Sequence, residues 1–599
     1  MQRRLLLIVV IATISAISIY AQTTGLESPV CNAQFAQLLV EQQVMESKSV
    51  VEPVKRIKIL LRSADFLWKF DEPTSRLYLA EAWKMADDRF KETGFEKKEI
   101  GEKGKGMLSI LPDQRMEVVT AIAKRDAEWS KKLSEQMLAD YDKSPGNRDS
   151  FDKTRELGDL LGLAQENARS NPELSRYLFR RVMKYPLFVN WFFAFYYTYK
   201  QDPAFADSIY TEALRNYRNE SPRRLLYLSG YPFANEFIFG IDRYSQSMGT
   251  PDYVKPNTAL QRQFIDTFFA RIAGYAASEV DINTAPDKNY QPEPLYMVSA
   301  VRDIEPIIIE RFPDMLERFS IAKSQARSLL NIEMQKQLDD KDKWTNSLGM
   351  SFDEQITEIE KADGEGKLTD YIIVRLVTRG EKTEEQFVKI LPWLDKIKGD
   401  EPRRQTIAYF WFRRAKLAIK EKRFDDADKY MAKVPEVEHR ALIMFDLARL
   451  QAKNDSDISS LFDTLNRLSK ITHSSDNSVS KAQILLGLAN MYEQVNHSIA
   501  LDELGESIRV TNSLKDPDIF ATGVRRQITG KNFMHFTSLD TPGYDLEKTF
   551  EELSKRDFEM SLANAKALDD KYFRTLAVIA VANNCAKNAK PAPKPKAKP

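Results

Sequence analysis

In 599 residues there are only two cysteines, four histidines and 22 glycines, and each scarcity closes off a class of protein. Two cysteines cannot build a disulfide scaffold or a cysteine-based zinc cluster. His439, His473, His497 and His535 are each at least 24 residues from the next, so no two share a helical turn as a helix-borne zinc site requires. Charge of one sign is missing too: 88 Lys+Arg face 87 Asp+Glu, so no global field draws the chain to nucleic acid. The sequence contains no His-Glu-x-x-His, no Gly-x-Ser-x-Gly, no phosphate loop and no Cys-x-x-Cys. Gly101, Gly104 and Gly106 cluster among Lys and Glu, but the spacing fits no phosphate cradle and the segment reads as a loop. Asp339-Asp340-Lys341-Asp342 and Asp455-Ser456-Asp457 lack the twelve-residue ligand series of a calcium loop and read as solvated turns. No motif asks for a cofactor or a metal. An acid pair across a cleft could still cleave glycans, yet the 87 acids single out no such pair, and nothing is similar to the compact motif of lytic transglycosylases. The expectation is a protein that is not an enzyme.

What is present is first a signal for export. Arg3 and Arg4 precede an apolar run from Leu5 to Tyr20, followed by Ala21, the charged, apolar, small order of a secretory signal peptide over residues 1–21. The run is shorter than the ~20 apolar residues of a comfortable membrane span, so no transmembrane segment is expected after cleavage. Removing it takes away two Arg and no acid, which turns a net +1 into −1. A secreted or periplasmic protein is the expectation. At the other end, 587–599 (KNAKPAPKPKAKP) reads as an extended, solvated tail.

Between those ends, composition and periodicity predict helix after helix. Hydrophobic residues make up 43% and charged residues 29%, a globular balance. The length fits about three to five domains, or one repeat array. Ile57, Leu60, Leu61, Ala64, Leu67 and Trp68 form one stripe, and after Asp71-Glu72-Pro73 come Leu77, Ala80, Trp83 and Ala86, a helical hairpin. Alternating βα patterns and Asn-Gly or Asp-Gly hairpins between strand-like runs are missing, which disfavours α/β and all-β folds. Leu187 to Lys200 holds eight aromatics in fourteen residues and, being apolar all round, reads as a buried helix.

A period is visible. Asn171-Pro172 followed by Ser175, Phe179 and Val182 is matched by Asp202-Pro203 followed by Ala206, Tyr210 and Ala213. Ala194, Tyr197, Ala206, Tyr210 and Ala213, with a partial second match at Trp411, Ala415, Phe424 and Ala427, resemble the tetratricopeptide repeat, whose 34-residue unit alternates small and aromatic residues at these offsets. The resemblance covers about two units and implies an all-α, superhelical array of antiparallel helix pairs, a solenoid, that acts as a binding platform.

Prolines and glycines interrupt that grammar over 221–306, apart from a helix expected near 259–277. Seven aromatics between Tyr227 and Tyr253 fall there. The expected organisation is helical repeats over 22–220, an irregular insertion or hinge over 221–306, and helical repeats over 307–586. Tyr231, Phe233, Phe237, Phe239 and Tyr244 are candidate binding residues, because rigid aromatics supply contact area at low entropic cost; the same rings would also serve to pack the insertion down. Of each pair among Arg180-Arg181, Arg223-Arg224, Arg403-Arg404, Arg413-Arg414 and Arg525-Arg526, one member is expected in an inter-helix ion pair and one in solvent. Cys31 and Cys585 either bond, which requires the array to curl back on itself, or remain unpaired or intermolecular, which a linear stack of helix pairs favours. The expected function is to bind or scaffold a protein or peptide partner in the cell envelope, with polysaccharide binding or cleavage as the alternative.

Overall fold

The computed structural model describes residues 31–94, 97–100, 107–110, 113–143, 151–234, 251, 253–277, 292–336, 338, 351–453, 458–520, 523–531, 533–540 and 545–588. The expected signal segment lies outside them, as does the tail from 589 onward. Lys587 and Asn588, expected in that tail, instead end the last helix.

The chain is helical almost throughout. It opens with α1 (Ala33–Ser47), α2 (Pro53–Leu67) and α3 (Glu72–Thr93), then a hairpin of β1 (Lys97–Ile100) and β2 (Met107–Ile110). Next come α4 (Gln114–Ala123), α5 (Ala127–Lys143), α6 (Phe151–Glu166), α7 (Pro172–Val182), α8 (Trp191–Gln201) and α9 (Pro203–Asn216). Two helical turns, Pro222–Leu225 and Gly230–Phe233, lead to α10 (Thr258–Ala276), α11 (Glu293–Arg311) and α12 (Leu316–Ser328). From there run α13 (Phe352–Gly364), α14 (Asp370–Thr378), α15 (Glu384–Leu394), α16 (Asp400–Lys420), α17 (Phe424–Met431) and α18 (Val437–Ala452). The remainder is α19 (Ile458–His473), α20 (Val479–Tyr492), α21 (His497–Ser513), β3 (Gly523–Gly530), β4 (Phe533–Asp540), α22 (Leu546–Leu553), α23 (Phe558–Lys566) and α24 (Lys571–Asn588).

These residues form two compact units. One joins the two ends of the chain, 1–82 and 350–599, and the other is the stretch between, 83–349. The segment 221–306 lies inside the second unit, and its described residues are largely helical. Pro294 sits in the first turn of α11, where its missing N–H costs nothing, and Pro306 is accommodated within the same helix.

Local chemistry explains where helices begin. Asn171 and Asp202 accept hydrogen bonds from the backbone N–H groups of Leu174 and Phe205 at 3.1 and 3.0 Å, with Pro172 and Pro203 at the first helical position. The six following positions picked out by periodicity, Ser175, Phe179, Val182, Ala206, Tyr210 and Ala213, are all fully buried. The hydroxyl of Ser175 donates to the carbonyl of Ala164 at 2.6 Å and ties α7 to α6. In the second partial match Ala415 and Ala427 are buried while Phe424 is 41% exposed. On α3 the buried face is Ser75, Leu79, Ala82 and Ala86, and Leu77, expected inside, is 69% exposed.

Two antiparallel hairpins depart from the purely helical expectation. In β3 and β4 the register pairs Gly530 with Phe533, and the sequence between them, Lys531-Asn532, is neither Asn-Gly nor Asp-Gly. This hairpin docks on α16. Ile528 is 1% exposed, the Thr529 N–H donates to Oε1 of Gln405 at 2.9 Å, and the buried Arg526 guanidinium lies over the Tyr409 ring.

The two cysteines are bonded, with Cα atoms 5.0 Å apart across a sequence separation of 554. Of the two alternatives left open for these cysteines the structure shows the bond, not the unpaired thiols that a linear stack favours, because the first helices do not start such a stack. α1 and α2 pack against α24, the last helix, and Ala36, Val40, Leu67, Ile579, Ala582 and Cys585 share one core cluster. The Arg62–Glu547 ion pair at 2.8 Å and the bond from Thr575 Oγ1 to Gln43 Oε1 at 3.2 Å join the same ends.

Candidate functional site

Two of the five aromatics expected to bind lie among the described residues, and both are core. Tyr231 is 3% exposed, its ring packs against Phe195, Tyr196, Tyr199 and Tyr210, and its hydroxyl donates to Asp207 at 2.6 Å. Phe233 is fully buried, edge-on to Phe264. Large rings beside a bare backbone fill the space between helices before they face water: a Cβ on Gly230 would strike the Phe192 ring at 2.6 Å. Phe237, Phe239 and Tyr244 lie outside the described residues.

The arginine pairs are more fully engaged than expected. Arg180 and Arg181 pair with Glu212 and Glu135, and Arg403 and Arg404 with Asp395 and Glu401. Arg414 pairs with Glu384, while Arg413 donates to the carbonyls of Val377 and Gly380 at the end of α14, where a cation meets the negative helix terminus. Buried Lys382 donates to Arg379 O in the same loop. Burial, with Arg413 and Arg379 nearby, pushes its amine down to about 8. These groups hold helix ends and are spent structurally.

Arg115 forms the most concentrated charge cluster of the second unit. It is fully buried, with Asp113 at 2.9 Å, Glu156 at 2.6 Å, Asp140 at 3.4 Å and Asp87 at 3.9 Å, and its guanidinium lies on the Phe90 ring at 3.3 Å. One cation therefore serves carboxylates from α3, the α4 cap, α5 and α6. Burial pushes Glu156 up to about 7, against the pull of Arg115, and Asp159 up to about 6.

Ser469, His473 and Glu503 bring a hydroxyl, an imidazole and a carboxylate together between α19 and α21. Ser469 donates to Oε1 of Glu503, and His473 Nε2 lies 3.0 Å from Oε2 of the same carboxylate. The carboxylate stands between the other two, so the imidazole does not bond the hydroxyl it would have to activate. Among the described residues no three His, Cys, Asp or Glu are grouped to hold a metal ion.

Among the described residues, one cavity with room for a ligand lies in the second unit. A cavity of about 590 Å³, open to solvent, is lined by Gly158, Gly162 and Gln165 of α6, by Asn190, Phe193, Tyr196 and Tyr197 at the start of α8, and by Pro251. Helical spacing puts Gly158, Gly162 and Gln165 on one face. Glycine inside a helix costs about 1 kcal/mol relative to alanine, and the two glycines have different reasons to be there. At 158 an added Cβ would meet Nδ2 of Asn190 at 2.3 Å, so the bare backbone seats that carboxamide. At 162 nothing lies within 4 Å of the added Cβ. No neighbour requires that glycine; it leaves the cavity floor bare.

Asn190 is the residue preceding α8 and has helical dihedrals, φ −62° and ψ −22°, with no capping bond from its side chain. Among the described residues its carboxamide has no hydrogen-bond partner. Tyr197, whose place in the repeat pattern suggested packing, is 56% exposed. The aromatic helix thus divides: Trp191, Phe192, Phe195 and Tyr196 are buried, Tyr196 forming part of the cavity wall, while Phe193 and Tyr197 stand at the cavity more openly. The signal that could have found this site is the Gly158-x-x-x-Gly162 spacing inside an otherwise good helix. Because nothing crowds residue 162, Gly162→Ala should raise stability by about 1 kcal/mol in urea unfolding; a loss would show that the floor is tighter than its geometry.

Fold and site together define an all-α chain with two small β hairpins and an open cavity walled by rings and carboxamides. No helix among the described residues is long and apolar enough to cross a membrane. No protein-family model and no curated protein matches the chain. Among solved structures it is similar to a chain of a homology model of the full-length AP-3 complex in an intermediate open conformation, at 12% identity over 93% of this chain and 86% of that one, TM-score 0.19. A circular tandem repeat protein with novel repeat topology and enhanced subunit contact surfaces matches at 11% identity, over 93% and 97% of the two chains, TM-score 0.12. Superpositions at this level carry no argument about fold or function.

Proposed function

We propose that this is an exported, non-enzymatic protein of helical-repeat type that binds or scaffolds a protein or peptide partner in the cell envelope. The observation that carries the reading is the cavity beside Gly162, whose described lining is uncharged and carries an exposed ring and an unspent carboxamide. Support for export comes from the charged, apolar and small order of residues 1–21 and from a disulfide, which persists in oxidising compartments. Support for a repeat architecture comes from the capped, small-and-aromatic helix pairs around 171–213. The described cavity wall holds no carboxylate, whereas glycoside cleavage needs two, which favours the binding reading over the alternative.

The test is site-specific crosslinking. Residues 22–599 carrying a photoreactive phenylalanine analogue in place of Tyr197 are irradiated in envelope extract, alongside the same bait with Gly162→Trp, both checked by circular dichroism. One protein captured reproducibly by the first and absent from the second is the expected result. Capture of polysaccharide, or no capture, would overturn the reading.

A further inference from the structure

Resting on that reading, we infer that the cavity between α6 and α8 takes an uncharged, extended peptide segment, with one peptide group on the Asn190 carboxamide and an apolar side chain over Gly162.

Charge decides the first part. None of the described lining residues is ionisable below the range of a tyrosine hydroxyl, so an ionic group that gives up water to lie against them gains no partner from them, which is unfavourable. The count of polar groups decides the second. A volume of about 590 Å³ is that of an ordinary ligand pocket, yet its described wall offers only two carboxamides and the Tyr197 hydroxyl among carbon surfaces, the Tyr196 hydroxyl being turned in against Gly230. Sugar rings filling the same volume would bring about three hydroxyls each, and each one turned onto the described wall without a partner would cost about 1–3 kcal/mol. A peptide strand brings one N–H and one C=O per residue and mostly carbon otherwise. Geometry decides the third. A carboxamide carries an acceptor beside its donors, the complement of a peptide unit's N–H and C=O. That of Asn190 is held on the bare backbone of Gly158 and is not consumed in capping α8. Beside it, the absence of any atom within 4 Å of a Cβ at Gly162 leaves a place for a side chain, with Phe193 and Tyr197 as its walls.

The experiment uses capped octapeptide libraries retained by immobilised residues 22–599 and read by mass spectrometry. One library contains only Ala, Gly, Pro, Ser, Thr, Val, Leu, Phe and Tyr; two others fix Glu or Lys at the fourth position; chitohexaose and cellohexaose are run beside them. Retention of neutral peptides, at least about tenfold above either charged library, is expected. Asn190→Ala should weaken the best retained peptide about tenfold, and Gly158→Ala should do the same by displacing the carboxamide without filling the cavity. Gly162→Trp should abolish retention while the circular dichroism spectrum stays native. Equal retention of charged peptides, retention by Gly162→Trp, or retention of the oligosaccharides alone would overturn the inference. If the crosslinked partner is still captured by the Gly162→Trp bait, the partner-binding reading survives at another surface and this one falls.

Discussion

Replacing Arg115 with methionine should cost the second unit about 3–5 kcal/mol, the usual loss when one member of a buried ionic group is removed. The guanidinium is fully buried and carries Asp113 and Glu156, themselves buried, with Asp140 and Asp87 within 3.9 Å. Without it, at least two carboxylates must ionise in a dry environment or take up protons. The deficit should be smaller in Arg115→Met/Glu156→Gln than the sum of the single effects, since the second change removes one orphaned charge. Urea unfolding of the three variants measures this; additive losses would mean that the cluster does not act as a unit.

The same cluster sets a pH dependence whose sign follows from its chemistry. Burial raises Glu156 from 4.5 to about 7 and Asp159 from 3.8 to about 6. A group with a raised native pKa stabilises fully below its unfolded pKa, and that stabilisation disappears as the pH climbs through the native value. The second unit should therefore be more stable near pH 5 than near pH 8, by as much as about 3 kcal/mol from Glu156. Glu156→Gln should flatten the slope. In Glu135 burial is the largest single effect and pushes the carboxyl up, but the hydrogen bonds from Arg181 and Tyr177 and the charges of Arg181 and Lys184 together outweigh it and hold the group below its ordinary value, so it loses its pairing only at more acid pH. Thermal melts at pH 5, 6, 7 and 8 settle the direction; a stability that rises over this range would refute the assignment.

Reducing the disulfide should have an effect of similar size on the first unit. Cys31 and Cys585 close a loop of more than 550 residues, for which the chain-entropy relation gives about 6 kcal/mol at 25 °C, against the 2–5 kcal/mol usually measured when a native bond is removed. Cys31→Ala/Cys585→Ala should melt lower by an amount in that measured range, and α1 should become the first site of proteolytic cleavage. The bond acts together with contacts that already hold the ends, among them Arg62 with Glu547 and Gln43 with Thr575. An unchanged melting temperature would show that these contacts alone suffice.

Much of the architecture was legible in the sequence because it is written in local rules. Asn171-Pro172 and Asp202-Pro203 announced helix starts through side-chain caps and a fixed proline φ, and the small and aromatic residues after them are buried. The stripe Ile57, Leu60, Ala64 and Leu67 faces the core for the same periodic reason. Local rules also misled. Leu77 fits a stripe but is exposed, and Pro306, read as a breaker, lies inside α11. The hairpin over 523–540 was missed because the residues between its strands, Lys531-Asn532, are not one of the strong turn dipeptides and β3 has only Val524 and Ile528 as large apolar residues, too few to show an alternation.

By itself, then, the sequence determined the helical class, the capped helix pairs around 171–213 and the candidate export signal, all of which depend on residues within a few turns of one another. Only the tertiary structure decided that Cys31 meets Cys585, that Tyr231 and Phe233 are core, and that Gly162 faces open space beside an unspent Asn190. Each of these depends on which distant element packs against which. Periodicity specifies that a helix has a face to bury, but the partner that covers it, or leaves one turn of it bare, is fixed by contacts between residues far apart in the chain.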